Sequence, residues 1–394
     1  MTGGTGRAGV RIACVYVNAG KGHYIPAKAL ADGFAAIGIE AVMVDYFSLL
    51  GARRLDALNQ WLWRLMLRSP RLEQMVNRGA DHSRFIAWAL PLLQWLSYEK
   101  AVRAHVDEHQ WDAMICTQYM PSMILPSLMK RLGTDIPIFA YASDVFFTPR
   151  QGLHPDLAKF YISTSEGAEH VVRSGFPREK TMVSAFPIQR SCVTAPALTK
   201  EEAREKLALK PIFTVLVNLG GEGIGTSRLI DELEERRVAV QVVLVGGMHK
   251  HAERKLLDQQ RLCTAVTVHV AGFVDNIYDY LRASDVVVGK AGINAMLEAI
   301  YLRRPFLVTT VYYSVADAAH YVVTHDIGWY EPHPERQAAI ICSCIEDPAL
   351  LAAMDRNFDS LPIRFGADEI VRDVVETVAG KTKEFSKVDR RSCR

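Results

Sequence analysis

The sequence predicts an α/β protein built from two doubly wound, parallel-sheet domains. Three observations carry this. The chain has 394 residues, and at roughly 100–200 residues per domain two is the natural number. Strand and helix patterns alternate from Val10 onward, and the alternation starts afresh at Phe213. Each half opens with a β-branched strand that runs into a glycine turn and then a helix, the opening of a nucleotide-binding α/β sheet. Two Rossmann-like domains of this kind, facing across a cleft, would set their glycine turns opposite each other.

The first half reads in order. Val10 to Asn18 is a strand, Ala19 to His23 a glycine turn, and Pro26 to Ile37 a helix with apolar residues at Ala27, Leu30, Phe34 and Ile37. Gly38 stops it and Glu40 to Tyr46 is the next strand. His23 stands at the edge of this unit. Its near-neutral pKa suits a general base or a phosphate donor, and a solvated helix cap is the competing role. Ala113 to Gln118, Ile136 to Ala142 and Lys159 to Ser163 are further strands. Asp144 follows the second of these, at the carboxyl edge where open α/β sheets bind ligands.

Residues 48–106 break the alternation. They hold Trp61, Trp63, Trp88 and Trp95, four of the six tryptophans, with arginines that include Arg64 and Arg68. Amphipathic helices mixing Trp and Arg suit a membrane interface. A helical core insertion is the plainer alternative.

The second half starts with the strand Phe213 to Asn218. Gly220, Gly221, Glu222, Gly223 and Gly225 follow in a turn, then a helix from about Ser227. The loop suits a phosphate but has neither the Walker nor the nicotinamide-binding pattern. Strands follow at Val240 to Val245, Val266 to Val270, Val286 to Gly289 and Phe306 to Thr309. At the third of these, Lys290, Ala291 and Gly292 form a turn into a helix that holds Asn294 and Glu298. Backbone N–H groups and the helix dipole converge there on an anion site. Glu298, a turn further on, is placed either for a ribose hydroxyl or for solvent. Lys290 has two uses open to it, a cation on a diphosphate or a structural ion pair.

The expected organisation is therefore a first domain over 1–193 with a helical insertion at 48–106, a second over 200–362, a terminal helix over 363–380 and a disordered basic tail over 381–394. The net charge of +2 excludes a typical nucleic-acid binder. Residues 1–193 carry 21 Lys and Arg against 16 Asp and Glu, a basic bias that suits an anionic membrane surface or substrate. The seven cysteines include no CxxC pair, the usage of a reduced compartment. MTGGTGRAG has no apolar core of a signal peptide, and no run of about 18 apolar residues spans a membrane. No DxD triplet or His/Cys cluster is present, so no protein-bound metal and no cofactor are expected.

With these residues in place the chain resembles the monogalactosyldiacylglycerol synthases and bacterial diacylglycerol glucosyltransferases. These are inverting glycosyltransferases of family 28 with the GT-B fold. The resemblance is carried by Gly20 to His23 with Pro26 to Leu30, by Asn218 to Gly225, by Ala271 to Val274, and by Lys290 to Gly292 with Leu297 to Ala299. It implies transfer of a hexose from a UDP-sugar, a substrate and not a cofactor, to diacylglycerol. The site implied is cytoplasmic, at the inner face of the cell membrane. It places His23 at the transfer edge as base, with Asp144 second. Gly220, Gly221, Glu222 and Gly223 lie near the donor, and Phe273 and Val274 border the uracil. Lys290, Ala291, Gly292 and the helix start at Asn294 lie under the diphosphate, and Glu298 meets the ribose. Trp61, Trp63, Arg64, Arg68, Trp88 and Trp95 face the acceptor and membrane. The chain departs from the pattern in three places. Ile293, Asn294 and Ala295 stand where Pro-Gly-Thr is usual, the Gln-Glu pair is absent near Tyr313, Ser314 and Val315 with Asp317 as a nearby substitute, and Asn18 replaces an aspartate of the plant members. Three other readings stay open: a UDP-GlcNAc-dependent transferase on another lipid, a UDP-sugar epimerase or hydrolase, and a non-catalytic UDP-sugar-binding protein.

Overall fold

The computed structural model describes residues 9–18, 21–67, 74–75, 98–194, 198–219, 225–248, 250–312 and 316–392, with 63–67 and 381–392 as backbone alone. The chain forms two compact units, Met1–Thr194 together with Ile363–Arg394, and Ala195–Pro362.

The first unit holds β1 (Arg11–Tyr16), β2 (Glu40–Asp45), β3 (Ala113–Cys116), β4 (Ile138–Tyr141), β5 (Lys159–Ile162) and β6 (Thr181–Val183). They form one sheet in the order β2-β1-β3-β4-β5-β6, parallel throughout. All four residues of β3 and of β4 are buried, which is why these strands read as continuous apolar runs and not as alternations. The order reverses between β1 and β3, so the crevice of this sheet lies beyond the carboxyl ends of those two strands.

The helix after β1 begins at Lys21, five residues before the expected start, and runs to Ala36. Pro26 sits inside it. Proline lacks the N–H that would bond to Gly22 O and its ring crowds that carbonyl, so the second turn of this helix carries a proline cost. His23 is therefore a residue of the first helical turn and not of the loop.

The terminal helix, Asp368–Ser392, belongs to the first unit. Ile370, Val371, Val374 and Val378 are buried. Asp373 accepts hydrogen bonds from Lys159 Nζ at 2.5 Å and Tyr161 Oη at 2.6 Å. Phe186 and Phe365 are joined by an isolated parallel bridge, with Phe186 N donating to Arg364 O at 2.7 Å. The stretch from Lys381, expected as a disordered tail, instead continues this helix to Ser392.

Within 48–106 the described segments are helical: Arg53–Leu67 and a helix over 98–109. Arg68, Trp88 and Trp95 lie outside the described residues, and Trp63 and Arg64 are placed by the helix backbone alone. Among the described residues no single helix is long and apolar enough to cross a membrane.

The second unit holds β7 (Thr214–Asn218), β8 (Val240–Val245), β9 (Val266–Gly272), β10 (Val286–Lys290), β11 (Phe306–Thr310) and β12 (Gly328–Tyr330). Its parallel order is β12-β11-β10-β7-β8-β9, the dinucleotide-binding order, with the reversal between β7 and β10. The lead-in helix Lys200–Lys206 is pinned to this sheet by Asp285. Its carboxylate takes Lys200 Nζ at 2.7 Å, Arg204 at 2.6 Å and Thr214 N at 2.8 Å. A buried carboxylate held this fully is satisfied in place.

Candidate functional site

At the reversal point of the first sheet the key group is a backbone carbonyl. Thr117 follows β3 and is fully buried. Its oxygen accepts from His23 Nδ1 at 3.1 Å and from Ser143 Oγ at 2.6 Å. Its hydroxyl donates to His23 O at 2.8 Å. The ends of β3 and β4 and the helix start after β1 therefore meet at one residue. A carbonyl oxygen only accepts, so His23 Nδ1 carries the ring proton and Nε2 keeps its lone pair. Burial holds the imidazole pKa down at about 4, with the Thr117 carbonyl pulling the other way. The ring is thus neutral at pH 7 with one nitrogen free to take a proton. This geometry does not fit the solvated cap.

Asp144 follows Ser143 at the same edge and is half-buried, its carbonyl closing a turn with Phe147 N at 3.1 Å. Tyr24 meets Tyr16 edge-on at 5.3 Å, and Lys21 Nζ lies 4.9 Å from the Tyr24 ring centre. His154 serves structure: Nδ1 accepts from Asp156 N at 3.1 Å, which leaves Nε2–H to donate to Ser127 Oγ at 2.7 Å. On the helix Arg53–Leu67, Leu58, Trp61 and Leu62 are exposed at spacings that share one face, with exposed Arg53 and Arg54 at its start.

At the reversal point of the second sheet, β10 approaches β7 closely. A Cβ on Gly289 would come within 3.2 Å of Asn218 O. Gly220, Gly221, Glu222 and Gly223 lie outside the described residues. Gly225, at φ +82°, opens the helix Thr226–Glu235, a conformation that favours glycine. After β10, Ala291 N donates to Thr310 O at 2.9 Å, and Gly292 caps the helix Ile293–Tyr301. A glycine cap brings no side-chain acceptor to the first N–H groups of that helix. Lys290 Nζ lies 5.6 Å from the Tyr312 ring centre, and Asn294 is buried in the first turn.

Glu298 is not solvated. It is 6% exposed, and Tyr278 Oη donates to its Oε1 at 3.2 Å. Burial pushes its carboxyl up to about 7, with the Tyr278 hydrogen bond opposing. Phe273, just past β9, is 84% exposed, and Val274 is half-buried. An aromatic ring this open at a sheet's carboxyl edge offers a face for a planar base. Thr117 and Tyr278 carry no motif. The positions of each, one residue past a buried strand and one turn past the β9 loop, were the available signals.

Residues 227–333 match the glycosyltransferase family 28 C-terminal domain. The chain is similar to a processive diacylglycerol beta-glucosyltransferase of Bacillus pumilus, 23% identical over 93% of this chain and 94% of the relative. It is also similar to a probable chloroplastic monogalactosyldiacylglycerol synthase 2 of Oryza sativa subsp. indica, 26% identical over 81% of this chain and 70% of the relative. Among solved structures, the UDP complex of Anabaena HepE matches at TM-score 0.56 and 14% identity, covering 94% of this chain and all of that one. The UDP-GlcNAc 2-epimerase of Neisseria meningitidis matches at TM-score 0.60 and 11% identity, over 94% and 100%. These likenesses span both units and place the fold in the GT-B class.

Proposed function

We infer, for a chain whose second unit carries a glycosyltransferase family 28 domain, that it moves a hexose from a UDP-sugar to the free hydroxyl of diacylglycerol, with inversion. The observation that carries this is the neutral His23 imidazole at the reversal point of the first sheet, its Nδ1–H held by Thr117 O. In the proposed step the acceptor hydroxyl gives its proton to Nε2. Its oxygen bonds to the sugar's anomeric carbon as the bond from that carbon to UDP breaks. Asp144 is the second candidate for the base.

Donor binding is assigned to the second unit. Glu298 takes the ribose. Donation from a ribose diol would favour the carboxylate form that burial opposes. Lys290, Ala291, Gly292 and Asn294 lie under the diphosphate, where the helix start offsets the leaving group's growing charge and no metal is needed. Gly220, Gly221, Glu222 and Gly223, outside the described residues, are assigned to the donor from sequence alone, and Phe273 and Val274 to the uracil.

Acceptor delivery is assigned to the helix Arg53–Leu67. The exposed Leu58, Trp61 and Leu62 enter the interface of an anionic membrane while Arg53 and Arg54 meet its headgroups. Trp63, Arg64, Arg68, Trp88 and Trp95, whose side chains lie outside the described residues, are assigned the same role from sequence alone. The protein is thereby assigned to the inner face of the cell membrane. The names of the Bacillus and rice relatives support diacylglycerol as acceptor.

The test is an assay of UDP-glucose, UDP-galactose and UDP-GlcNAc against diacylglycerol liposomes, read as UDP release and as glycolipid on thin-layer plates. A lipid-dependent glycolipid product is expected. UDP release without lipid would favour a hydrolase or epimerase. Binding of UDP-sugar with no release under any acceptor would favour a non-catalytic protein.

A further inference from the structure

We propose that Ser143 is a positioning residue for this transfer, one that directs the His23 ring through the carbonyl they share. The proposal rests on the reading of His23 as the base. A carbonyl oxygen has two lone pairs in one plane. Ser143 Oγ lies 2.6 Å from Thr117 O and His23 Nδ1 lies 3.1 Å from it. The shorter, buried hydroxyl bond takes one lone pair, which confines the Nδ1–H to the other. The imidazole plane, and with it the direction of Nε2, is then fixed from a strand end 120 residues away in sequence.

Three features support a positioning role over simple burial of a serine. Thr117 Oγ1 donates to His23 O at 2.8 Å, so both the backbone and the ring of His23 are tied to one residue. Thr117 and Ser143 are both buried, so water does not compete for the carbonyl. The proton bookkeeping agrees with it. When Nε2 takes the acceptor's proton, the imidazolium keeps its Nδ1–H on Thr117 O, and a ring free to turn would lose that partner as its charge appears. The clamp does here, with a carbonyl and a hydroxyl, what an orienting carboxylate does in a His–Asp pair.

The test compares wild type, Ser143→Ala, Ser143→Thr, His23→Ala and the Ser143→Ala/His23→Ala double variant on the full chain. Ring nitrogen shifts and Nδ1–H exchange of His23 are followed by NMR against pH, and UDP release is measured with UDP-sugar and diacylglycerol liposomes. In Ser143→Ala the Nδ1–H tautomer should persist, because Thr117 O still accepts from it, but the Nδ1–H proton should exchange with water faster as the ring gains freedom. Turnover should fall roughly ten- to a hundredfold with KM for UDP-sugar unchanged. Ser143→Thr, which keeps the hydroxyl, should restore both. The double variant should be no slower than His23→Ala, because the serine acts only through the ring. An unchanged Nδ1–H exchange rate in Ser143→Ala overturns the proposal whether or not transfer is seen, and so does a loss of rate fully additive with His23→Ala. Wild-type turnover in His23→Ala would instead remove the base, and the absence of any lipid product would remove the transferase reading. Each failure is therefore read separately.

Discussion

Tyr278 and Glu298, from two different helices of the second unit, form a buried hydrogen bond with the phenol oxygen 3.2 Å from Oε1. A single neutral donor does not offset the burial, and the carboxyl is raised to about 7. The folded value lies above the unfolded one, so folding favours the protonated acid. Its contribution is whole below the ordinary carboxylate pKa of 4.5 and is lost as pH rises to about 7. Glu298→Gln should therefore raise the melting midpoint at pH 8, by an amount on the order of 3 kcal/mol in stability, and match wild type at pH 4.5. The same variant should weaken UDP binding about tenfold or more, the loss of a charge-assisted hydrogen bond. Differential scanning fluorimetry across pH and calorimetric titration with UDP check the two halves.

His23 has the opposite sign. Its folded pKa, about 4, lies below the ordinary 6.5 because burial disfavours the imidazolium. The neutral ring is favoured by folding above pH 6.5, and that stability is lost as pH falls through about 4. At saturating UDP-sugar, where the ribose holds Glu298 as the carboxylate, the acidic limb of kcat should accordingly lie near pH 4, with transfer at pH 5 close to that at pH 7. His23→Ala should lower kcat by about 10²–10⁴ and leave UDP affinity unchanged. A pH–rate profile with a limb near 6.5 would contradict the burial argument.

The helix Arg53–Leu67 makes a separable prediction. Leu58 and Trp61 are 50% and 56% exposed, so charge at either position should move the stability by less than about 0.5 kcal/mol. Leu58→Glu and Trp61→Glu should each reduce binding to anionic vesicles about tenfold or more, since a buried apolar side chain is worth about 1.5–3 kcal/mol. Vesicle co-sedimentation set beside the melting midpoint checks this. Raising the salt should weaken wild-type binding through the Arg53 and Arg54 contribution.

Asp373 tests the return of the terminal helix to the first unit. Removing its carboxylate leaves Lys159 Nζ and the buried Tyr161 hydroxyl without their acceptor. Asp373→Ala should destabilise the first unit by about 2–3 kcal/mol, and Tyr161→Phe by about 1 kcal/mol. Urea unfolding followed by circular dichroism measures both.

Much of the fold was legible in the residues. Strands β1 to β5 and β7 to β11 lie where largely apolar runs placed them; those inside the sheets are apolar because buried parallel strands are covered on both faces, while β2 and β9 are half-buried edges. Two of the edge strands, β6 and β12, have three residues each and partly exposed faces, too short to stand out from loop. The helix start at Lys21 was hidden by Pro26, which ordinarily marks a first turn.

The site divides along the same line. Linear sequence was enough to nominate His23, the glycine turns and Glu298 as candidates, since a strand, a turn and a helix start are local and their chemistry depends on residue type and spacing. It left open whether His23 and Glu298 were solvated, which depends on what the fold packs around them. Burial lowers the pKa of one and raises that of the other, and the partners that orient them, Thr117 and Tyr278, are 94 and 20 residues distant. The strand orders that bring β1 beside β3 and β7 beside β10 were likewise settled in three dimensions. Hydrogen bonds and desolvation act between neighbours in space, and a periodic pattern along the chain does not say which neighbours those will be.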